Sequence, residues 1–547
     1  MQRAFAAATL LIVAAALFLR LPQLDNRPMH GDEAVHAAKF RELWERGVYR
    51  YDPNEYHGPT LYYAALPTVE LNGRRSFAET TESDFRLAAA AAGVLLALSP
   101  VLLRDGLGNG AAVLAALLLA LSPACVFYSR YYIQEIFLTL FTVAAIGFGW
   151  RHAQTGRTVW LVLAAAAAGL MIATKETAVL AFAGALPAWL AARRMRTDGH
   201  RSGGESASLP TAGTEQERFT NAQHLAHSSP PSRAFRALLG LGVAVAVACL
   251  FLSGFGTNPA GPVDYLRSYL PWLGRAGETS LHRQPWHYYL TMLAWTHRAR
   301  GPVWSEGLIL GLGLAGAAAA FWRSGALLAG ADARLARFLA VFTGVLTVLY
   351  SAIPYKTPWC ALSFLAGFAL LGGIGGQAVL AALRPSALRA AGGLALAAGL
   401  AHLGWLAWQT SFAYPTDGRN PYAYAQPVPD IVALGRRVEE LSRHHPARAR
   451  MVVKVFSADK YYWPLPWHLR RLENVGYWTS VPEDADAPVV IASPQFDEEL
   501  TRRLDATHLM TGYFGLRPGV VMMLWVRMDL WEPFIKSRSH APSSPGE

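Results

Sequence analysis

Apolar positions along this chain fall in long blocks. Eleven stretches of 16 to 24 residues carry almost no charge: 4–21, 86–103, 111–128, 133–150, 158–174, 177–192, 236–253, 305–322, 336–353, 359–382 and 390–409. That is the helix length needed to cross a hydrocarbon core of about 30 Å. A soluble fold does not absorb so many such blocks. The pattern predicts an α-helical polytopic membrane protein with about eleven transmembrane helices. After residue 410 the pattern changes. "ARARMVVKVFSA" and "DAPVVIASPQ" read as buried strands, while "PDIVALGRRVEELSRHH" and "FDEELTRRLDA" have the helical period. This alternation predicts a small extracytoplasmic α/β domain over 410–547, following a transmembrane domain over 1–409.

Composition supports the membrane reading. Of 547 residues, 53% are apolar and 16% charged, against about 25% charged in soluble domains. The net charge of +11 does not call for nucleic acid, because basic residues hold loops in the cytoplasm and face anionic lipid. The segment 193–235 is rich in arginine and otherwise Ser, Gly, Thr, Gln and His. It reads as a disordered cytoplasmic loop. Arginine in the connections 104–110, 151–157, 323–335 and 383–389 agrees with a cytoplasmic N-terminus and a multi-pass protein of the cell (inner) membrane. The first stretch is expected to stay as a helix, since "FLRLPQLD" offers no small-residue cleavage site. Cys125, Cys249 and Cys360 form no disulfide framework or zinc motif.

Alternating the spans places 22–85, 129–132, 174–177, 254–304, 354–358 and the C-terminal domain on the outer face. Those segments hold nearly every unusual polar cluster of the chain, and polar groups that gather on one membrane face line a site. In "MHGDEAVHAAKF" the residues after Gly31 have helical spacing, with Asp32, His36, Phe40 and Leu43 on one face. Asp32 is placed to N-cap that helix, with Glu33 favoured by the helix dipole. A carboxylate beside an imidazole at a low-dielectric wall also suits a general base. The two readings are compatible.

The other clusters each carry two readings. His57, in "YHGPTLYY", suits substrate binding or a hydrogen bond within its loop. "YSRYYIQE" sets Arg130, Tyr131 and Glu135 at the junction of the third and fourth spans. Arg130 and Glu135 there suit mutual pairing, and Arg130 also suits a bidentate grip on phosphate. Lys175 and Glu176 sit in the short hairpin "ATKET", and two prolines break the backbone around Tyr355 and Lys356 in "IPYKTPW". A lysine in such a break is a candidate phosphate contact. The loop 254–304 interleaves arginines with Trp272, Trp286 and Tyr288, as an interfacial or re-entrant segment does. "YYWPLPWHLRR" (461–471) suits docking on the membrane surface, holding a glycan, or the entry to an ordinary core helix. Carboxylates near one wall with cations elsewhere fit a reaction needing a base and an anionic leaving group, such as sugar transfer from a lipid phosphate.

Taken in order, "HGDEAVHA", "YHGPTLYY", "SRYYIQE", "TKET" and "YKTPW" resemble the GT-C-fold glycosyltransferases of the protein-mannosyltransferase/aminoarabinose-transferase superfamily. More narrowly, they resemble its flippase-activity-associated prokaryotic branch. The resemblance spans about 20–380. It implies a multi-span bundle with an extracytoplasmic site, a polyprenyl-phosphate-linked sugar as donor, and inversion at the anomeric carbon. The acceptor would be a lipid, a polysaccharide or a protein. By position, Asp32 and Glu33 match the catalytic acidic pair, with Asp32 as the base. Arg130 and Glu135 match the second acidic motif. Lys175, Lys356 and Arg130 would face the lipid phosphate by charge and face, and His36, His57, Tyr131, Glu176 and Tyr355 complete the expected substrate site. A divalent cation is possible, with Asp32, Glu135, His36 and His57 as ligands, although no compact metal spacing exists. The alternative is a lipid or glycan flippase, or an accessory protein of one. Such a protein would carry polar residues deep in its spans or an internal repeat, and the sequence shows neither.

Overall fold

The computed structural model describes residues 2–54, 57–193, 232–277, 282–322, 326–458 and 461–539. The predicted arginine-rich loop lies, between its two ends, outside the described residues. A helix stands at each of the eleven apolar stretches. Seven are long and apolar enough to cross a membrane: 3–20, 82–107, 135–155, 233–252, 333–352, 358–382 and 386–413. An eighth is broken into Asn109–Leu121 and Pro123–Ser129, bent by 59°. Three more, Thr158–Ile172, Ala178–Arg193 and Gly307–Phe321, are apolar but shorter.

Small residues set the closest approaches in the bundle. A Cβ on Gly316 would lie 2.0 Å from the Leu371 carbonyl oxygen, and one on Gly375 would lie 1.9 Å from that of Leu312. Helices Gly307–Phe321 and Leu362–Ala382 therefore pack backbone against backbone, the arrangement small residues allow in lipid. The run "LLGGIGG" serves that contact.

Two connections between spans are built from helices of their own. The first loop carries α1 (Gly31–Arg46) and α2 (Thr60–Leu71). The loop 254–304 carries α3 (Gly261–Arg267), α4 (Tyr269–Gly277) and α5 (Tyr288–Ala294). Leu266, Leu270 and Leu273 are exposed on α3 and α4, as an interfacial segment requires.

Beyond the last span a linker leads to α6 (Asp430–His444) and a five-stranded sheet. Its strands are β1 (Val452–Phe456), β2 (Asn474–Trp478), β3 (Val489–Ala492), β4 (His508–Arg517) and β5 (Val520–Arg527). The order is β2-β1-β3-β5-β4, parallel across β2, β1 and β3 and antiparallel beyond. The two expected strands are β1 and β3, and the two expected helices are α6 and α7 (Asp497–Leu504). The sequence reading singled out neither β2 nor the β4–β5 hairpin. Ile431, Leu434, Val438 and Leu441 of α6 pack on Val453, Val455, Ile491 and Leu524.

The segment 461–471 docks this domain on the connection between the first two long spans and the start of the second. Trp467 is buried edge-on against Phe77 and Phe85, and its Nε1 donates to Glu82 Oε1 at 2.7 Å. Arg470 donates to the Thr80 carbonyl at 2.6 Å.

Candidate functional site

The turns at one end of the bundle close around a cavity of about 560 Å³. Asp32 and His36 come from α1, His57 from the following loop, and Gln134 and Glu135 from the turn after the broken helix. Lys175 and Glu176 come from the turn between two short spans, Tyr269 and Trp272 from α4, and Tyr355, Trp359 and Cys360 from the break at 353–361. Val179, Leu180 and Leu273 give it an apolar side.

Local chemistry fixes each wall. The N-cap of α1 is His30, not Asp32 as expected: Asp32 N donates to His30 Nδ1 at 3.1 Å, and His30 N donates to Glu33 Oε2 at 2.9 Å. This capping box uses Glu33 and leaves Asp32 exposed toward the cavity. Glu33 is fully buried and does not line the cavity. Arg86 holds it with both arms, Nε at 2.8 Å and Nη2 at 2.7 Å, and Tyr132 N donates to it at 2.9 Å. Burial alone would raise the Glu33 pKa, but the guanidiniums of Arg86 and Arg27 outweigh it and hold the carboxyl at about 2.

The loop bearing His57 lies directly on the turn bearing Glu176. Gly58 N donates to the Thr174 carbonyl at 3.2 Å, and a Cβ on Gly58 would lie 2.0 Å from the Ala173 oxygen. His57 Nδ1 then reaches Glu176 Oε2 at 2.7 Å, and its ring stacks on Trp272 with centroids 5.2 Å apart. Glu176 also accepts from Tyr51 Oη. Burial would raise the Glu176 pKa, but His57 and Tyr51 bring it below the usual carboxylate value. Lys175 is buried against Glu135. Burial would lower the ammonium pKa, and the Glu135 carboxylate raises it instead. His36 is buried beside Tyr62 Oη at 3.1 Å, and burial followed by the neighbouring His57 lowers its pKa to about 3.

The structure thus brings together Asp32, His36, His57, Glu135, Lys175, Glu176 and Tyr355. Four other expected residues stand elsewhere. Glu33 is in the capping box. The Arg130 guanidinium donates to the carbonyls of Arg20, Pro22 and Gln23 at 3.0, 2.7 and 2.7 Å, which closes the end of the first span. It makes no ion pair with Glu135 among the described residues. Tyr131 is buried on Gln426. The Lys356 ammonium donates to the carbonyls of Ile353 and Gln284, where it holds the break at 353–356 against 282–284. Sequence reasoning missed Gln134, Trp359 and Cys360 as cavity residues. All three lie in or beside the motifs it singled out.

Of the three carboxylates lining the cavity, Glu135 is buried in an ion pair with Lys175 and Glu176 is buried against His57. Among the described residues Asp32 has no ion-pair partner and is exposed. The arrangement offers one open base, one buried ammonium and an apolar side. Among the described residues no three His, Cys, Asp or Glu side chains form a cluster suited to a metal ion.

Residues 76–201 match the family model for dolichyl-phosphate-mannose-protein mannosyltransferase. No curated protein matches the chain in sequence. Among solved structures, ArnT from Cupriavidus metallidurans bound to undecaprenyl phosphate is similar with a TM-score of 0.56 and 17% identity, over 94% of this chain and 97% of that one. The same protein in the apo state gives a TM-score of 0.57 and 18% identity, over 95% and 98%. The apo Archaeoglobus fulgidus oligosaccharyltransferase gives 0.53 and 14%, over 98% of this chain and 78% of that one. The chain has the GT-C fold that these membrane proteins share.

Proposed function

We propose that the chain is an integral-membrane glycosyltransferase. It moves a hexose or pentose from a polyprenyl-phosphate donor to an acceptor hydroxyl on the extracytoplasmic face. The observation that carries this reading is that the open Asp32 carboxylate and a buried ammonium line one cavity, which also has an apolar side. The match to a mannosyltransferase family model and the similar fold of an ArnT bound to undecaprenyl phosphate support it.

The chemistry follows from placement. Asp32 takes the proton from the acceptor hydroxyl as its oxygen attacks the anomeric carbon. The lipid phosphate leaves on the opposite side of that carbon, so the configuration inverts. Lys175 spends one donor on Glu135, and an ammonium has three, so it stabilises the departing phosphate. Val179, Leu180 and Leu273 lead the polyprenyl chain toward the lipid. No step is routed through a metal.

The test is donor binding. Lys175→Ala is expected to weaken binding of a polyprenyl-phosphate sugar by about tenfold or more, the size of one charge-assisted contact. Lys356→Ala should leave donor binding unchanged. The reverse ranking would move the phosphate site to the break at 353–356.

A further inference from the structure

Asp32 has a second side, built by the C-terminal domain. A Cβ on Gly31 would lie 3.9 Å from the Cβ of Trp463, so the N-terminus of α1 abuts that residue. Arg517, the last residue of β4, donates through Nη1 to the Trp463 carbonyl at 3.2 Å. Its guanidinium carbon stands 5.7 Å from the centroid of the Tyr461 ring. Tyr461 is 43% exposed and Arg517 is half-buried. Elsewhere around the site, His282 Nδ1 and Tyr424 Oη meet at 2.7 Å, and the Tyr355 ring lies 4.8 Å from that of His282.

The arginine is the unusual member of this wall. Among the described residues it pairs with no carboxylate, and one of its five donors is used. It is anchored on a strand end, half-withdrawn from solvent, and bonded to Trp463, the residue that abuts the N-terminus of the helix carrying the proposed base. A guanidinium with open donors next to an aromatic face matches a sugar bearing an oxyanion: the ring covers the tyrosine and the anion meets the arginine.

We propose that Asp32 stands between two subsites, and that Arg517 and Tyr461 form the acceptor side, which takes a saccharide carrying a phosphate or carboxylate. This rests on the transferase reading and names its acceptor class.

The test reads binding without turnover. Full-length protein in nanodiscs, without donor, is titrated with oligosaccharides matched except for one group: phosphorylated, carboxylated or neutral. Wild type should bind one charged member about tenfold tighter than the neutral one, and the two charged arms show which oxyanion is preferred. Arg517→Gln should bring the ratio to about one. Arg517→Lys, which keeps the charge and loses the fork, should give an intermediate ratio, and thermal melts check that both variants fold. No preference in wild type, or a preference that survives Arg517→Gln, overturns the proposal. Donor turnover is not read here. A charged preference lost in Arg517→Gln together with absent donor consumption would sink the transferase reading and leave an anionic-saccharide site.

Discussion

Asp32 and Glu33 are sequence neighbours in opposite environments, because consecutive helix positions point about 100° apart. Glu33 meets Arg86 with no exposure on either side chain, while Asp32 faces the cavity. Two variants separate their work. Asp32→Asn should cut turnover by about 10²-fold or more, the size of a general-base contribution, with an unchanged thermal melt. Glu33→Ala should cost about 3–5 kcal/mol of stability, because it leaves a buried guanidinium unpaired, and thermal unfolding in detergent measures that. The sequence made Asp32 legible through the face it shares with His36. It could not show Arg86, 53 positions away, so it could not tell that Glu33 was already occupied. Arg130 follows the same logic: its charge suits phosphate, and only the fold brings the carbonyls of Arg20, Pro22 and Gln23 to it. His36 supplies a pH test. Its folded pKa of about 3 lies below the ordinary 6.5, so below pH 6.5 the unfolded chain binds the extra proton. The stability this group supports is full above about pH 6.5 and is lost as pH falls toward 3. Replacing His36 with Asn should flatten that part of the stability profile, and a profile unchanged by the substitution would contradict the assignment.

At the scale of elements, the stretch 111–128 reads as one straight span, and the structure breaks it into Asn109–Leu121 and Pro123–Ser129, bent by 59°. Pro123 opens the second piece, the position where a missing N–H costs nothing. The buried Glu306 carboxylate accepts from Ser122 Oγ at 2.9 Å and from Ala124 N at 2.8 Å. It thereby satisfies one freed backbone donor of the second piece, and Ser122 Oγ takes the next, Cys125 N. Glu306→Ala should destabilise by about 1–3 kcal/mol, the cost of stranding buried donors, and Glu306→Gln should cost less, since an amide oxygen still accepts. Equal losses in the two melts would mean the side chain only fills space. The β4–β5 hairpin was legible and was not read: Pro518 and Gly519 sit between two apolar, β-prone runs. β2 has five residues and takes its place from pairing with β1, which local sequence does not carry.

At the scale of the molecule, the apolar blocks made the bundle legible, because a bilayer imposes length and composition together. The convergence of five separate motifs on one cavity was legible through alternation of the spans. The docking of the C-terminal domain through Trp467 and Arg470 was not, since it depends on contacts 385 and 390 positions apart. The orientation proposed for the bundle predicts that a reporter at residue 215 reads cytoplasmic and one at residue 540 extracytoplasmic. Both on one side would scatter the site across two faces. The most direct test of the central claim is donor consumption. Wild type and Asp32→Asn are placed in liposomes with labelled polyprenyl-phosphate sugars and crude envelope extract, and release of free lipid phosphate is followed. The account predicts release by wild type from at least one donor and none by Asp32→Asn. Equal release by both proteins would remove Asp32 as the base. No release from any donor by folded wild type would contradict the transferase reading itself.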